Sequence, residues 1–184
     1  MATAIQSKAP GAAQTVAPSQ YLTFTLDNEQ FAVDISKVRE VLEFTSVTKV
    51  PRTPEFMRGV INLRGSVVPV VDLRLKFGLS RTEQSIDTCV IITEVESKGE
   101  TLVLGALADS VRAVIELEPG SIEPPPRMGT RVNIDFIRGM GKRDERFLIL
   151  LDLDRVLTED ELRTVSPAAP AAGPAEGQAL GLHA

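Results

Sequence analysis

"VINLRGSVVPVVDLR", residues 60–74, is a run of β-branched residues broken once, by Arg64-Gly65. β-branched side chains fit the pleated surface of a strand, and a short Gly-containing break between two such runs marks a reversal of the chain. The stretch therefore predicts two paired strands with an arginine at the corner between them. Outward from this corner the same landmarks return later in the chain. "EFMRGVINLRGSVVPVVDLRLKF" (55–77) and "DFIRGMGKRDERFLILLDLDRVL" (135–157) align without a gap at an offset of 80 residues. Phe56 falls on Phe136, Arg58 on Arg138, Gly59 on Gly139, Asp72 on Asp152 and Leu73 on Leu153. Upstream, "VREV" (38–41) falls on "VRAV" (111–114) at an offset of 73. Paired Phe, Arg-Gly and Asp-Leu landmarks are not strand composition, so they predict two related β-rich halves, roughly 20–90 and 90–165 with strand exchange, around a shared core.

The rest of the chain keeps this rhythm. Short apolar segments alternate with turn chemistry such as "LDNEQ", "LRGS", "ESKGE" and "GKRDER", which argues for many short strands in barrels or sandwiches. "YLTFTL" (21–26) and "FAVDI" (31–35) read as a hairpin, and "CVIITEV", "TLVLGALA" and "RFLILLDL" as further strands. Three short helices are expected, over 54–59, 72–78 and 158–165. In the last, Thr158 and Glu161 have the spacing of a capping box. Residues 1–19 and 166–184, rich in Ala, Pro, Gly, Gln and Ser, have little to bury and read as flexible tails.

Composition narrows the function. With 20 Lys and Arg against 25 Asp and Glu, and no basic run, a nucleic-acid partner is disfavoured. Cys89 is the single cysteine, so one chain builds neither a disulfide nor a cysteine zinc site; within "TCVIIT" it reads as a buried strand thiol. No apolar run reaches the length of a membrane span, and the N-terminus lacks signal-peptide order, so a cytoplasmic protein is expected. The lone histidine, His183, sits at the end of a tail, which removes triads built on histidine. Asp72 and Asp152 are the best carboxylate pair for acid-base chemistry, but an aspartate directly before a helical turn fits capping better. "RGMGKRDE" lacks P-loop spacing and reads as a polar hairpin. By elimination the chain is a binding protein, with no enzyme activity, cofactor or metal expected.

The string "PEFMRGVINLRGSVVPVVDLR", with "YLTFTLDNEQFAVDISKVREV" before it and "IDFIRGMGKRDERFLILLDLDRVL" after it, resembles the CheW coupling proteins of bacterial chemotaxis over residues 20–164. The resemblance implies an all-β fold of two SH3-like five-stranded β-barrels sharing a hydrophobic core. It implies a non-catalytic adaptor, monomeric when free, that joins the cytoplasmic tip of methyl-accepting chemotaxis receptors to the regulatory domain of the histidine kinase CheA. Such adaptors are recruited to membrane receptor arrays without inserting into the membrane. Carried over position by position, the receptor- or kinase-binding residues are Val38, Glu40, Gly59, Arg64, Cys89 and Val114. The alternative is a CheW-like adaptor of a pathway that controls twitching or development rather than swimming.

Gly65 permits a sharp corner and leaves Arg64 with a planar five-donor group able to fork onto a carboxylate, for which Glu40 is the expected partner. A half-buried pair predicts a cost of about 2–5 kcal/mol on breaking one side; a solvated arginine predicts about 0–1 kcal/mol. Apolar strand edges in "VIITEV" and "EFTSVTKV" are expected to meet the kinase domain, with Val90 and Val47 as the positions to probe.

Overall fold

The computed structural model describes residues 17–125 and 134–165. In chain order the strands are β1 (Ser19–Leu26), β2 (Glu29–Asp34), β3 (Val38–Glu43), β4 (Met57–Leu63), β5 (Ser66–Asp72), β6 (Cys89–Ser97), β7 (Glu100–Ala108), β8 (Ser110–Leu117), β9 (Ile122–Glu123), β10 (Ile137–Arg143) and β11 (Arg146–Leu151). The helices are α1 (Leu73–Lys76), α2 (Leu153–Val156) and α3 (Glu159–Val165). Four hairpins set this pattern. Their two-residue turns are Asp27-Asn28, Arg64-Gly65, Lys98-Gly99 and Asp144-Glu145, and every one of these residues has a positive φ. That is the φ signature of a type I′ turn, whose twist matches that of the strands it joins.

The strands form two curled sheets, one ordered β8-β1-β2-β11-β10-β9 and the other β3-β6-β7-β5-β4. Laid over each other, β3 corresponds to β8, β4 to β10 and β5 to β11, while the hairpin β6–β7 takes the place that β1–β2 holds in the other sheet. Each repeat thus lends its first hairpin to the sheet of the other. The same parallel pairing recurs, β5 with β7 and β11 with β2. To the five strands expected of each barrel, one sheet adds a sixth, β9, two residues long. Its counterpart in the other sheet is Thr48, which makes a single bridge to Val60 and draws the chain beyond β3 against β4. Glu123 of β9 pairs with Met140 in the same way, so the difference is one extra residue of pairing.

Strands buried on both faces read as continuous apolar runs, and β11 shows why "FLILL" is so uniformly apolar. Leu148 and Leu150 point into a small core inside the six-stranded barrel with Tyr21, Ile115 and Leu117. Ile149 and Leu151 point the other way, into the large core between the barrels. In the five-stranded barrel Val90 and Ile92 face an inner core with Phe44, Val68 and Leu107, while Ile91 and Val95 face the shared one. A file of rings, Phe24, Phe31, Phe77 and Phe136, with successive centroids 6.0, 5.9 and 5.8 Å apart, runs through the shared core. It links the β1–β2 hairpin, the end of α1 and the start of β10.

Both aspartates cap helices, as expected from their position. Asp72 accepts from the backbone N–H groups of Arg74 and Leu75, and Asp152 from that of Asp154. Thr158 and Glu161 exchange the two bonds of a capping box, at 2.7 and 3.3 Å. The helix expected over 54–59 does not form. Pro54 begins a turn closed by the Met57 N–H, and β4 starts at Met57, because Met57 pairs with Val71 across the hairpin. The 72–78 helix is a single turn. Of the tails expected at 1–19 and 166–184, residues 1–16 and 166–184 lie outside the described residues, while Ala17 and Pro18 are exposed and Ser19 opens β1; His183 lies outside them as well.

Candidate docking groove

The Arg64-Gly65 corner is built from three local features. Arg64 adopts φ +50 and Gly65 φ +87, a left-handed pair that glycine tolerates freely and arginine does so only at modest cost. The Asn62 side chain accepts a hydrogen bond from the Gly65 N–H at 2.8 Å, across the turn. On β3 the register against β6 shifts between Val38 and Glu40, leaving Arg39 as the extra residue of a bulge. Bulges re-aim side chains, and here both Arg39 and Glu40 reach the same groove.

Arg64 Nη1 and Nη2 donate to Glu40 Oε1 and Oε2 at 2.9 and 3.1 Å, a parallel fork that fixes the guanidinium plane. Beside it, Arg39 Nε donates to Glu94. The Glu40 side chain is 25% exposed, but that of Arg64 is 78% exposed. The half-buried pair expected from sequence is therefore open on its arginine side. In the free protein it contributes about 0–1 kcal/mol, and most of the guanidinium faces outward.

Glu40 and Arg64 edge a groove of about 580 Å³. Arg39 adds a second guanidinium at its rim, and Val67, Pro69, Leu102 and Val103 supply apolar walls. The chemistry on offer is recognition by an exposed, oriented cation next to aliphatic surface. Among the described residues no group of His, Cys, Asp and Glu could hold a metal ion, and no helix is long and apolar enough to cross a membrane.

Of the residues named from sequence, only Glu40 and Arg64 meet here. Val38 is half-buried against the shared core. Gly59 is buried at φ +146, and a Cβ on it would lie 2.3 Å from the Thr48 carbonyl oxygen. Its lack of a side chain is what lets the chain after β3 close on β4. Cys89 is not the buried thiol expected: it opens β6 half-exposed, and its S–H donates to the Asp87 carbonyl at 2.9 Å. Val114, opposite Leu22 on β8, is 50% exposed on the other barrel. The strand-edge expectation needs correction at both of its probes. Val90 lies inside the five-stranded barrel because alternation along β6 turns it inward, and Val47, in the segment after β3 and outside any strand, packs half-buried against the same core. Sequence reading passed over Asn62 and Arg39. An Asn two residues before a positive-φ corner was a legible sign of turn bracing; the bulge at Arg39 had no such sign.

A second polar cluster lies where the β2 end meets β10 and α2. Lys37 pairs with Asp154 at 3.2 Å and Glu96 at 3.5 Å, and Arg138 with Asp34 at 3.3 Å. Burial disfavours the charge on Asp34, but hydrogen bonds from the Ser36 side chain and N–H, and from Arg138, outweigh it and hold the carboxyl below its ordinary value. Burial acts against the Lys37 ammonium too, yet Asp154 and Glu96 raise it above its usual value. Every charge in this cluster already has a partner, which marks it as a joint between the barrels rather than an open site.

Comparison with known proteins agrees with this architecture. The family model described as the CheW-like domain matches residues 20–161. Chemotaxis protein CheW of Klebsiella aerogenes is 35% identical over 150 residues, covering 82% of this chain and 88% of the relative. Protein FrzA of Myxococcus xanthus is 30% identical over 159 residues, covering 84% and 95%. The crystal structure of the scaffolding protein TtCheW from Thermoanaerobacter tengcongensis superposes with a TM-score of 0.71 at 36% identity, over 79% of this chain and 96% of that one. With its two interlocked barrels, its Arg64 corner and a match running through both repeats, the chain belongs to the CheW-like domain family.

Proposed function

We propose that this protein is a non-catalytic adaptor that couples methyl-accepting chemotaxis receptors to the histidine kinase CheA, working in the cytoplasm and held at receptor arrays by its partners. The observation that carries the reading is an oriented, outward-facing Arg64 on Glu40 at the rim of an apolar groove, in a chain whose family match spans both barrels. An exposed charge fixed in one geometry steers and orients a partner more than it stabilises the fold. In this reading Glu40 and Arg64 form the receptor contact. Val114 and the partly exposed Cys89 supply apolar contacts elsewhere on the surface. Val38 and Gly59 act through the fold, by shaping β3 and by closing its barrel.

The test is titration calorimetry of the wild type and Arg64→Glu against a receptor signalling-tip fragment and, separately, a CheA regulatory domain. The expected result is that wild type binds both and that the folded variant loses the receptor tip. Wild type binding neither cognate partner would overturn the reading. A second reading, an adaptor of a chemosensory pathway that does not control swimming, draws support from the match to a relative named FrzA rather than CheW. The two separate by whether deletion of the gene abolishes swimming chemotaxis or another motile or developmental response.

A further inference from the structure

The two β-hairpins that carry the repeat landmarks differ at their tips. In the six-stranded barrel the corner is Asp144-Glu145, the residue in the place of Asn62 is Lys142, and the residue in the place of Glu40 is Ala113. In the five-stranded barrel the corner holds Arg64 in a left-handed conformation. Gly65 alone relieves only the second position of the turn, since the first also needs positive φ and an arginine there competes with extended alternatives. The Asn62 Oδ1 bond to the Gly65 N–H closes over Leu63 and Arg64 and ties the second turn residue to the strand that leads into the corner. Arg64 itself is largely exposed, so packing against its own side chain does little to hold it. Its direction is set by the turn on one side and by Glu40 on the other.

We infer that Asn62 is the positioning residue of the docking groove: by bracing the 64–65 turn it holds the Arg64 guanidinium on Glu40 and so presents it to the partner in one orientation. This rests on the receptor-binding reading above and adds to it the residue that makes Arg64 effective. Asn62 need not touch the partner. Its contribution is that less ordering is left to be done on binding.

The test uses the full chain with Asn62→Ala, Asn62→Asp, Arg64→Ala and the double variant Asn62→Ala with Arg64→Ala. Each is titrated with the receptor-tip fragment, while 15N relaxation of residues 62–66 is recorded on the free protein. The expected result is a several-fold loss of receptor-tip affinity for Asn62→Ala and increased mobility confined to the turn. Asn62→Asp, which keeps the acceptor oxygen, restores most of the affinity. The double variant binds no more weakly than Arg64→Ala alone, because once the guanidinium is gone there is nothing to position. Wild-type affinity in Asn62→Ala, or equal additive losses in the double variant, would overturn the inference and leave the adaptor reading intact. Absence of receptor binding by the wild type would fell the adaptor reading instead, and the relaxation data would then judge the bracing of the turn by themselves.

Discussion

The two barrels share their landmarks and differ in their surroundings. In the first repeat Arg58, 10% exposed at its side chain, donates to the fully buried Asp72 at 3.0 Å and to the Thr82 carbonyl at 3.1 Å. Thr82 in turn gives Asp72 its N–H and its hydroxyl, at 3.0 and 2.8 Å. In the second repeat the equivalent Arg138 turns outward to Asp34, and the equivalent Asp152 keeps its capping bond and a long contact to Arg155 at 3.5 Å. The divergence arises in the chain just beyond each single-turn helix. After α1 the chain folds back over Asp72 and places Thr82 on it; after α2 it continues into α3. One motif is thereby a buried electrostatic knot in one barrel and a surface cap in the other.

Removing each aspartate in turn should give the largest difference between the barrels. Asp72→Ala leaves the Arg58 charge buried without its carboxylate and is expected to cost about 3–5 kcal/mol, whereas Asp152→Ala loses little beyond a cap, about 1 kcal/mol. Urea denaturation of the two variants checks the difference, and equal losses would show that the fold-back over Asp72 does not matter. Next in size are the closing glycines. Gly59→Ala places its Cβ against a backbone oxygen at a φ that alanine resists, and a cost of about 2–4 kcal/mol is expected. Gly139→Ala meets the Ile122 methyl at 2.8 Å and the Glu123 carbonyl oxygen at 3.0 Å with no positive φ, and the yielding side chain should hold the loss to about 1–2 kcal/mol. Thermal melts of the pair decide it.

The smallest effect concerns α3, which only the second repeat possesses. Glu161 completes its capping box and also accepts from Lys76 Nζ at 2.6 Å, while Lys76 stands over the rings of Phe56 and Phe136, the two repeat-equivalent phenylalanines. Burial raises the Glu161 carboxyl, but bonds from Lys76 and the Thr158 N–H outweigh it and hold it below its ordinary value of 4.5. A carboxylate depressed by folding contributes stability that is fully present above its unfolded value and is lost as pH falls through its folded one. Stability of the wild type should therefore decline on acidification below about pH 4.5. Glu161→Gln should flatten part of that decline and cost about 1 kcal/mol near neutrality, read from denaturant midpoints across pH.

The features legible in the sequence were local or repeated. The Arg64-Gly65 corner, the Asp-Leu helix starts and the Thr158–Glu161 box are patterns within a few residues, and the repeat emerged because its Phe, Arg-Gly and Asp-Leu landmarks survive in one ungapped block at an offset of 80. The features that stayed hidden depend on strands far apart in the chain. Nothing near Gly59 announces that Thr48 crosses it, and nothing in "CVIITEV" says that residue 89 ends up at a strand end while Val90 points into a barrel. The exposure of Arg64 was equally illegible, since it depends on how far the turn projects beyond β3. The reading of 54–59 as a helix failed because local propensity yielded to the pairing of Met57 with Val71.

Exchanging hairpins between the repeats ties the barrels together in time as well as in space. The five-stranded barrel is written in one stretch, from Val38 to Ala108, but the six-stranded one joins β1 and β2 to strands that begin only at Ser110. During synthesis the first hairpin therefore leaves the ribosome with its final neighbours, β8 and β11, still unmade, and an isolated hairpin is marginal in water. The barrel encoded in the middle of the chain has all its strands first and can offer the waiting hairpin a surface through the shared core. Separating the barrels by cutting the chain at Asp109 would leave that hairpin on the fragment that lacks β8 and β11.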